Sequence, residues 1–441
     1  MLFFLIFWGV GSLFAQNTGV KSFTLEQAVA YAQVHNYGVI NAGKDLEAAK
    51  QKLRESIAEG LPQVDASIDA HDNVSRPVFI FPGDLAGKPG QEVAVQFGTK
   101  YDAGLSARLS QLIFDGRYFI GLKAARVSLE KSDKSFFKNK LAVKEQVANA
   151  YYQVLAVGES LHVVDSTLAV TRKLAAETRH IYEAGMTEDI DVDQMNLLVA
   201  NLEASHTFLK NQYGIAVAYF KFYLGLDEKD SVTLVQTLPA LIHQKQHELA
   251  KIGGFNLSQN IDFQLANTAE KLLNLQLKVA KAAYIPSITA NLSYQTQAQR
   301  DEWNFFGPGK WYQSSVLGVS MKIPILSSGK RLAQVKQARI ALEQAQVRQK
   351  QTASQLNLQY KNSLNDYKNA VRVYKNKEEN RKIAEKIYRK TTEKYKQGMA
   401  SSLDLLNTHN QFLNVENDFI SAGLNLLKSA ENLQTLLTKA N

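Results

Sequence analysis

The chain has 441 residues, a formal net charge of +9 and no cysteine, and its mean hydropathy is −0.23. The missing cysteine excludes a disulfide framework, a thiol nucleophile and thiolate-bound metal. The positive charge does not point to nucleic acid: Lys and Arg are spread among Glu and Gln along helical stretches, as on solvated helix faces, and no nucleic-acid recognition motif is present.

In chain order, Leu2 to Val10 is apolar apart from Gly9 and runs into Gly11-Ser12-Leu13-Phe14-Ala15-Gln16. A short apolar core before a small residue is the pattern of a secretory leader, so residues 1–15 are expected to be removed and the rest exported. A helix is predicted from Asp45 to Glu59, ending at Gly60. After Pro62 the period changes to two: Val64, Ala66, Ile68 and Ala70 alternate with Gln63, Asp65, Ser67 and Asp69. A loop over 76–100 leads to a second strand, with Tyr101, Ala103, Leu105, Ala107 and Leu109 against Asp102, Ser106, Arg108 and Ser110. Alternating apolar and polar faces in an exported chain are the pattern of a barrel with lipid outside and water inside. A half-buried hairpin in a soluble protein gives the same alternation.

From Arg117 to Ala184 there is no proline, and the only glycines are Gly121 and Gly158. Sixty-eight residues of helix at 1.5 Å each reach roughly 100 Å. Val147, Val154, Leu161, Leu168, Ala175 and Tyr182 recur every seven residues, a coiled-coil seam. A return helix is predicted over 190–224, and residues 227–256 form a linker.

The chain then repeats itself. At a fixed offset of 213 residues, Gly116-Arg117 falls on Gly329-Lys330, and Tyr182, Gly185, Met186 and Asp191 fall on Tyr395, Gly398, Met399 and Asp404. Residues 16–226 and 257–441 are thus two copies of one unit. Each copy has a strand hairpin (about 62–113 and 286–325), a long helix (117–184 and 330–397) and a return helix (190–224 and 403–439). In the second copy Ile288, Ala290, Leu292 and Tyr294 pair in pattern with Leu317, Val319, Met321 and Ile323. The seam becomes Tyr360, Tyr367, Tyr374, Arg381, Tyr388 and Tyr395. The aromatic-rich segment 300–312 suits a membrane interface. Four strands cannot close a barrel, so the chain is expected to oligomerise, three copies supplying twelve strands.

The order of helix, proline-led strand, strand, Phe114-Asp115-Gly116 and long helix, then Tyr-x-x-Gly-x-x-x-x-[Ile/Leu]-Asp-[Val/Leu] at 182–192 and 395–405, resembles the TolC-like outer-membrane efflux proteins. So does the Thr24-Leu25-Glu26-Gln27-Ala28 start. The match covers nearly the whole exported part. The resemblance implies a mostly helical fold with a β-barrel part: long coiled-coil-like hairpins forming a tunnel, and four strands per chain in a trimeric twelve-stranded barrel. It implies an equatorial region taking 227–256, and a homotrimer working with a periplasmic adaptor (a membrane fusion protein) and an inner-membrane pump of RND or ABC type. The duct would cross the outer membrane, meet its lipid, and serve efflux or type I secretion.

It further implies that the turns 184–190 and 397–403 form a closed periplasmic tip. Asp191 and Asp404 fall where the family's acids line the constriction, with Glu188, Asp189 and Asp193 around the first. Threefold repetition would make a negative ring that favours cations. An acid at a helix start is equally suited to the helix dipole. Gly185-Met186 and Gly398-Met399 are expected at the tip turns, where an adaptor would dock. Ala400 stands where the family's lock uses an arginine, and Asn407 where it has a second ring acid, so those closing contacts do not carry over. No enzyme, cofactor or metal site is expected: His243-x-x-x-His247-Glu248 lacks a third ligand and metalloprotease spacing. A periplasmic coiled-coil scaffold and a general diffusion porin are the competing readings.

Overall fold

A computed structural model describes residues 21–82, 84, 87, 89–251 and 254–439; the expected leader lies outside the described residues. Two compact units divide the chain, one of residues through Asp45 with 134–265 and 350–441, the other of 46–133 with 266–349.

The second of these is a sheet with the ends of the long helices. Strands β2 (Gln63–Asp72), β5 (Tyr101–Phe114), β7 (Ser287–Arg300) and β8 (Tyr312–Lys322) form one antiparallel sheet in the order β2-β5-β7-β8. The register carries the alternation across all four strands. Val64, Leu109, Leu292 and Leu317 stand opposite one another on one face, and Ser67, Ser106, Gln295 and Ser314 on the other. Val64 and Leu317 are 68% and 77% exposed, which in water would waste an apolar surface that lipid accommodates. The apolar face gives way to Thr296 and Gln313 toward the Arg300 end. Segment 76–100 is not the plain loop the sequence suggests. It contains a separate hairpin of β3 (Val78–Pro82) and β4 (Glu92–Gln96). These strands have five residues each, too few for alternation to separate them from a loop.

The other unit holds the core. A parallel pair of β1 (Lys21–Phe23) and β6 (Val232–Leu234) leads into α1 (Leu25–His35). Thr24 and Gln27 close a reciprocal capping box at its start, the arrangement that satisfies two of the unpaired N–H groups there. Asn36 then interrupts the helix: its Oδ1 accepts from the Gly38 and Val39 N–H groups (2.8 and 3.3 Å), so α2 (Tyr37–Ala58) begins anew. The sequence pattern places this start at Asp45, because Gly38 and Gly43 weaken the helical signal ahead of it.

Helix α3 runs from Gly116 to Glu183 and α4 from Asp189 to Leu224. Helix α5 covers Leu238–Lys251 and α6 Ile261–Ala282, followed by α7 (Lys330–Lys396) and α8 (Ser402–Leu437). The seam of α3 is buried in its middle, with Val147, Val154 and Leu168 at 5% exposure or less, while Leu161 and Ala175 are half-buried and Tyr182, near the turn, is exposed. One window of 18 residues in α3 has a mean hydropathy of 1.2, enough by composition to cross a membrane, and 39% of it is buried; Val147 and Val154 of the seam belong to the core. Tyr151 and Tyr152 are fully buried beside it, Tyr151 donating to the Phe23 carbonyl (3.1 Å). Arg381 interrupts the tyrosine ladder of α7 without cost to packing. Its Nε donates to the buried Glu416 carboxylate at 2.7 Å, and its guanidinium lies over the Phe419 ring. Helix α5, inside the segment read as a linker, packs on α8. Gly423 permits the approach, since a Cβ there would stand 3.1 Å from Ile242.

Candidate functional site

Each long helix ends in the same way. The Met186 N–H donates to the Ile181 carbonyl (3.0 Å) and the Gly185 N–H to that of Tyr182 (2.8 Å). The second copy repeats this with Met399 to Lys394 (2.8 Å) and Gly398 to Tyr395 (2.9 Å). These are Schellman caps, which require a left-handed residue after the helix. Gly185 and Gly398 supply it at φ 73° and 69°, where any side chain would cost about 1–2 kcal/mol. The methionines that follow are 72% and 64% exposed, and Ile190 and its twin Leu403 are 53% and 52% exposed. Each turn therefore presents a pair of large apolar side chains to the surroundings.

The returning helices start differently. In the second copy Ser401 caps α8: its hydroxyl accepts from the Asp404 N–H, while the Asp404 carboxylate accepts from the Ser401 N–H (3.1 Å). Asp404 is exposed and occupied with its own helix end. In the first copy the capping position is Glu188, whose side chain makes no cap bond. Asp191 is thereby free to turn elsewhere. It accepts from the Thr187 hydroxyl (2.5 Å) and, across to the other helix pair, from the hydroxyl of the buried Ser402. The Gln194 Oε1 lies 2.6 Å from the same hydroxyl. Bonds from Ser402 and Thr187 outweigh partial burial and hold the Asp191 carboxyl below the usual range. The Ser401 side chain and backbone do the same for Asp404.

Next to this polar contact lies an apolar cluster. Leu174 of α3, Met195 of α4 and Leu405 of α8 are buried together against Tyr388 and Tyr395 of α7, and the Tyr395 hydroxyl meets that of Thr178 at 2.7 Å. At the turns themselves the two helix pairs are joined by the Asp191–Ser402 contact, and deeper by the Tyr395–Thr178 pair and this apolar cluster. Asp189 accepts from the Ile190 N–H (2.8 Å), and Glu188, Asp189 and Asp193 are exposed. Among the described residues, no Lys or Arg pairs with any of the five acids. Sequence reasoning missed Ser402, Thr187 and Gln194. Ser401-x-x-Asp404 signals a cap, but no local pattern signals that Ser402 reaches the other repeat.

Duplicated helix pairs of this length, joined to a four-stranded sheet with one bare apolar face, define an outer-membrane channel fold. The comparisons agree. The family described as "Outer membrane efflux protein" matches residues 31–226 and 256–439, and the chain belongs to that family. It is 20% identical over 335 residues to Outer membrane protein TolC of Vibrio cholerae serotype O1, covering 74% of this chain and 70% of that protein. It is 26% identical over 304 residues to the pyoverdine export outer membrane protein OpmQ of Pseudomonas aeruginosa, covering 66% and 60%. Among solved structures, the outer membrane protein VceC of Vibrio cholerae superposes with a TM-score of 0.72 at 17% identity, over 94% of this chain and 96% of that one. The Campylobacter jejuni CmeC outer membrane channel gives 0.73 at 16%, over 94% and 85%. The fold is that of the TolC-like channels and the location is the outer membrane, which leaves no place for a purely periplasmic scaffold.

Proposed function

We propose that three copies of the chain form the exit duct of a tripartite efflux or type I secretion assembly. An inner-membrane pump of RND or ABC type and a periplasmic adaptor would supply energy and docking. The duct itself is passive. Its periplasmic tip is held shut by the Asp191–Ser402 contact and ringed by Asp191, Asp404, Glu188, Asp189 and Asp193. The observation that carries this reading is that Asp191 bridges the two helix pairs at their turns, where a sliding of one pair past the other would open a passage. Gly185, Met186, Gly398 and Met399 give the adaptor two similar apolar turns to seize.

A hydrogen bond to a charged group contributes about 1.5–3 kcal/mol, so its loss shifts a closed–open balance by roughly one to two powers of ten. In planar bilayers the parent is expected to show low conductance with cation preference. Asp191→Ala is expected to raise the open fraction, and Asp404→Ala to lower cation preference with little change in opening. A parent already fully open would identify a diffusion porin. A double variant with unchanged conductance and selectivity would remove the gate.

A further inference from the structure

We infer that the β3–β4 hairpin is a membrane-contacting blade, seated at the boundary between the phosphate headgroups and the acyl chains of the outer leaflet. One of its faces is wholly apolar and the other is apolar in part. Phe79 and Phe81 stand opposite Val95 and Val93 on one face, joined by Phe97, whose ring lies 5.6 and 5.7 Å from theirs. The other face carries Val78, Ile80, Pro82 and Ala94 together with Gln96 at one end and Glu92 at the other. Val78, Phe79, Ile80 and Phe97 are 53%, 52%, 65% and 50% exposed. A two-stranded hairpin is at best marginally stable in water, and the wholly apolar face of Phe79, Phe81, Val93 and Val95 gains nothing by being turned to it. Bare apolar strands of this kind are an aggregation hazard unless something covers them.

The occupant is indicated by where the hairpin is rooted. The Asp301 carboxylate accepts from the Lys100 N–H (3.2 Å) and pairs with Arg76 (3.4 Å), fixing both strands' bases to the start of segment 301–311. That segment lays Phe305 onto Ala103 and Ala298, on the same face of the sheet as Leu105 and Leu292. Trp303 meets the rings of Tyr101 and Phe305 edge-on at 5.5 and 5.2 Å. A Trp/Tyr cluster at the end of an apolar barrel face marks the membrane–water interface. Here it sits where that face gives way to Thr296 and Gln313. The Lys100 ammonium rests over the Tyr101 ring at 5.0 Å, a cation held on an amphipathic ring of the kind enriched at headgroup level. The hairpin therefore springs from the interface belt itself, and its apolar face continues the lipid-facing surface rather than beginning a new one.

This rests on the sheet facing lipid, and the test separates the two ideas. The chain has no cysteine, so Phe79→Cys, Ile80→Cys and Leu317→Cys can each carry one environment-sensitive fluorophore in an otherwise unaltered protein. Each is reconstituted into vesicles of phosphatidylcholine and phosphatidylglycerol. Quenching is measured with nitroxides fixed on the acyl chains and with a water-soluble quencher. Leu317→Cys reports the sheet. The expected result is lipid quenching at Phe79→Cys and Ile80→Cys comparable with that at Leu317→Cys, and weak aqueous quenching. Strong aqueous quenching at the hairpin would place it in solvent, and protection from both quenchers would place it against a second copy of the chain. Either overturns the inference while Leu317→Cys upholds the sheet. Loss of lipid quenching at Leu317→Cys itself would instead overturn the barrel.

Discussion

His409 lies on α8 with no exposed surface and no hydrogen bond to either ring nitrogen. Its neighbour is the Tyr388 ring, edge-on at 5.5 Å. Burial pushes its pKa down to about 4, whereas the unfolded chain's imidazole titrates near the ordinary 6.5. Between those values the unfolded chain holds a proton that the folded chain refuses, so stability falls as pH drops through this window. The full loss is roughly 3 kcal/mol per chain. His409→Leu is expected to remove much of the acid sensitivity of the helical melting transition; equal losses in parent and variant would assign it to other groups. At this scale the sequence is an uneven guide. Asp191 and Asp404 occupy identical positions in the repeat, yet one bridges and the other caps. The difference lies in their neighbours: Glu188 against Ser401 at the cap, and Thr187 against Ala400 one residue earlier. A hydroxyl at the cap claims the carboxylate that follows it; without one, the carboxylate turns to Thr187 and Ser402. Those letters are visible in the sequence, but the partner across the fold is not.

Helix α5 is held by a buried charge cluster. Lys245, 5% exposed, donates to Glu431 and Gln434, each at 2.7 Å, and Glu431 is fully buried. Tyr152 donates to the same carboxylate at 3.3 Å and Lys144 approaches its other oxygen at 3.5 Å. Burial, and then the Glu431 charge, raise the nearby Glu145 carboxyl above its usual range. Removing one partner of a buried pair leaves the other charged and unpaired, at a cost of about 3–5 kcal/mol. Glu431→Ala is expected to destabilise by that order in chemical denaturation, and Lys245→Met with Glu431→Leu to restore most of it. A double variant as unstable as the single one would mean that the pair also sets the packing of α5. The long helices and the four long strands were legible because a period of seven or of two persists over many residues. Helix α5 was not: Pro239 and two histidines disguise a helix of fourteen residues, and its anchor lies 186 positions away in sequence.

At the scale of the whole molecule, β2 and β8 each pair with a single neighbour, leaving two edges of unpaired backbone groups. No such edge persists in lipid, so each must meet another chain. Native mass in mild detergent is expected at three times the chain mass, with aggregation once detergent is removed; a detergent-independent monomer would sink the shared barrel. The fold class was readable in advance because duplication prints the same pattern twice.

Duplication also gives every residue of one repeat a twin in the other, and twins need not share an occupation. Asp191 has kept the task of joining the repeats, while Asp404 attends only to its own helix. In evolutionary terms the copies have divided their labour. Asn or Ser at 404 could still accept the Ser401 N–H but would give up the charge at the tip, whereas position 191 needs its carboxylate for as long as Ser402 faces it.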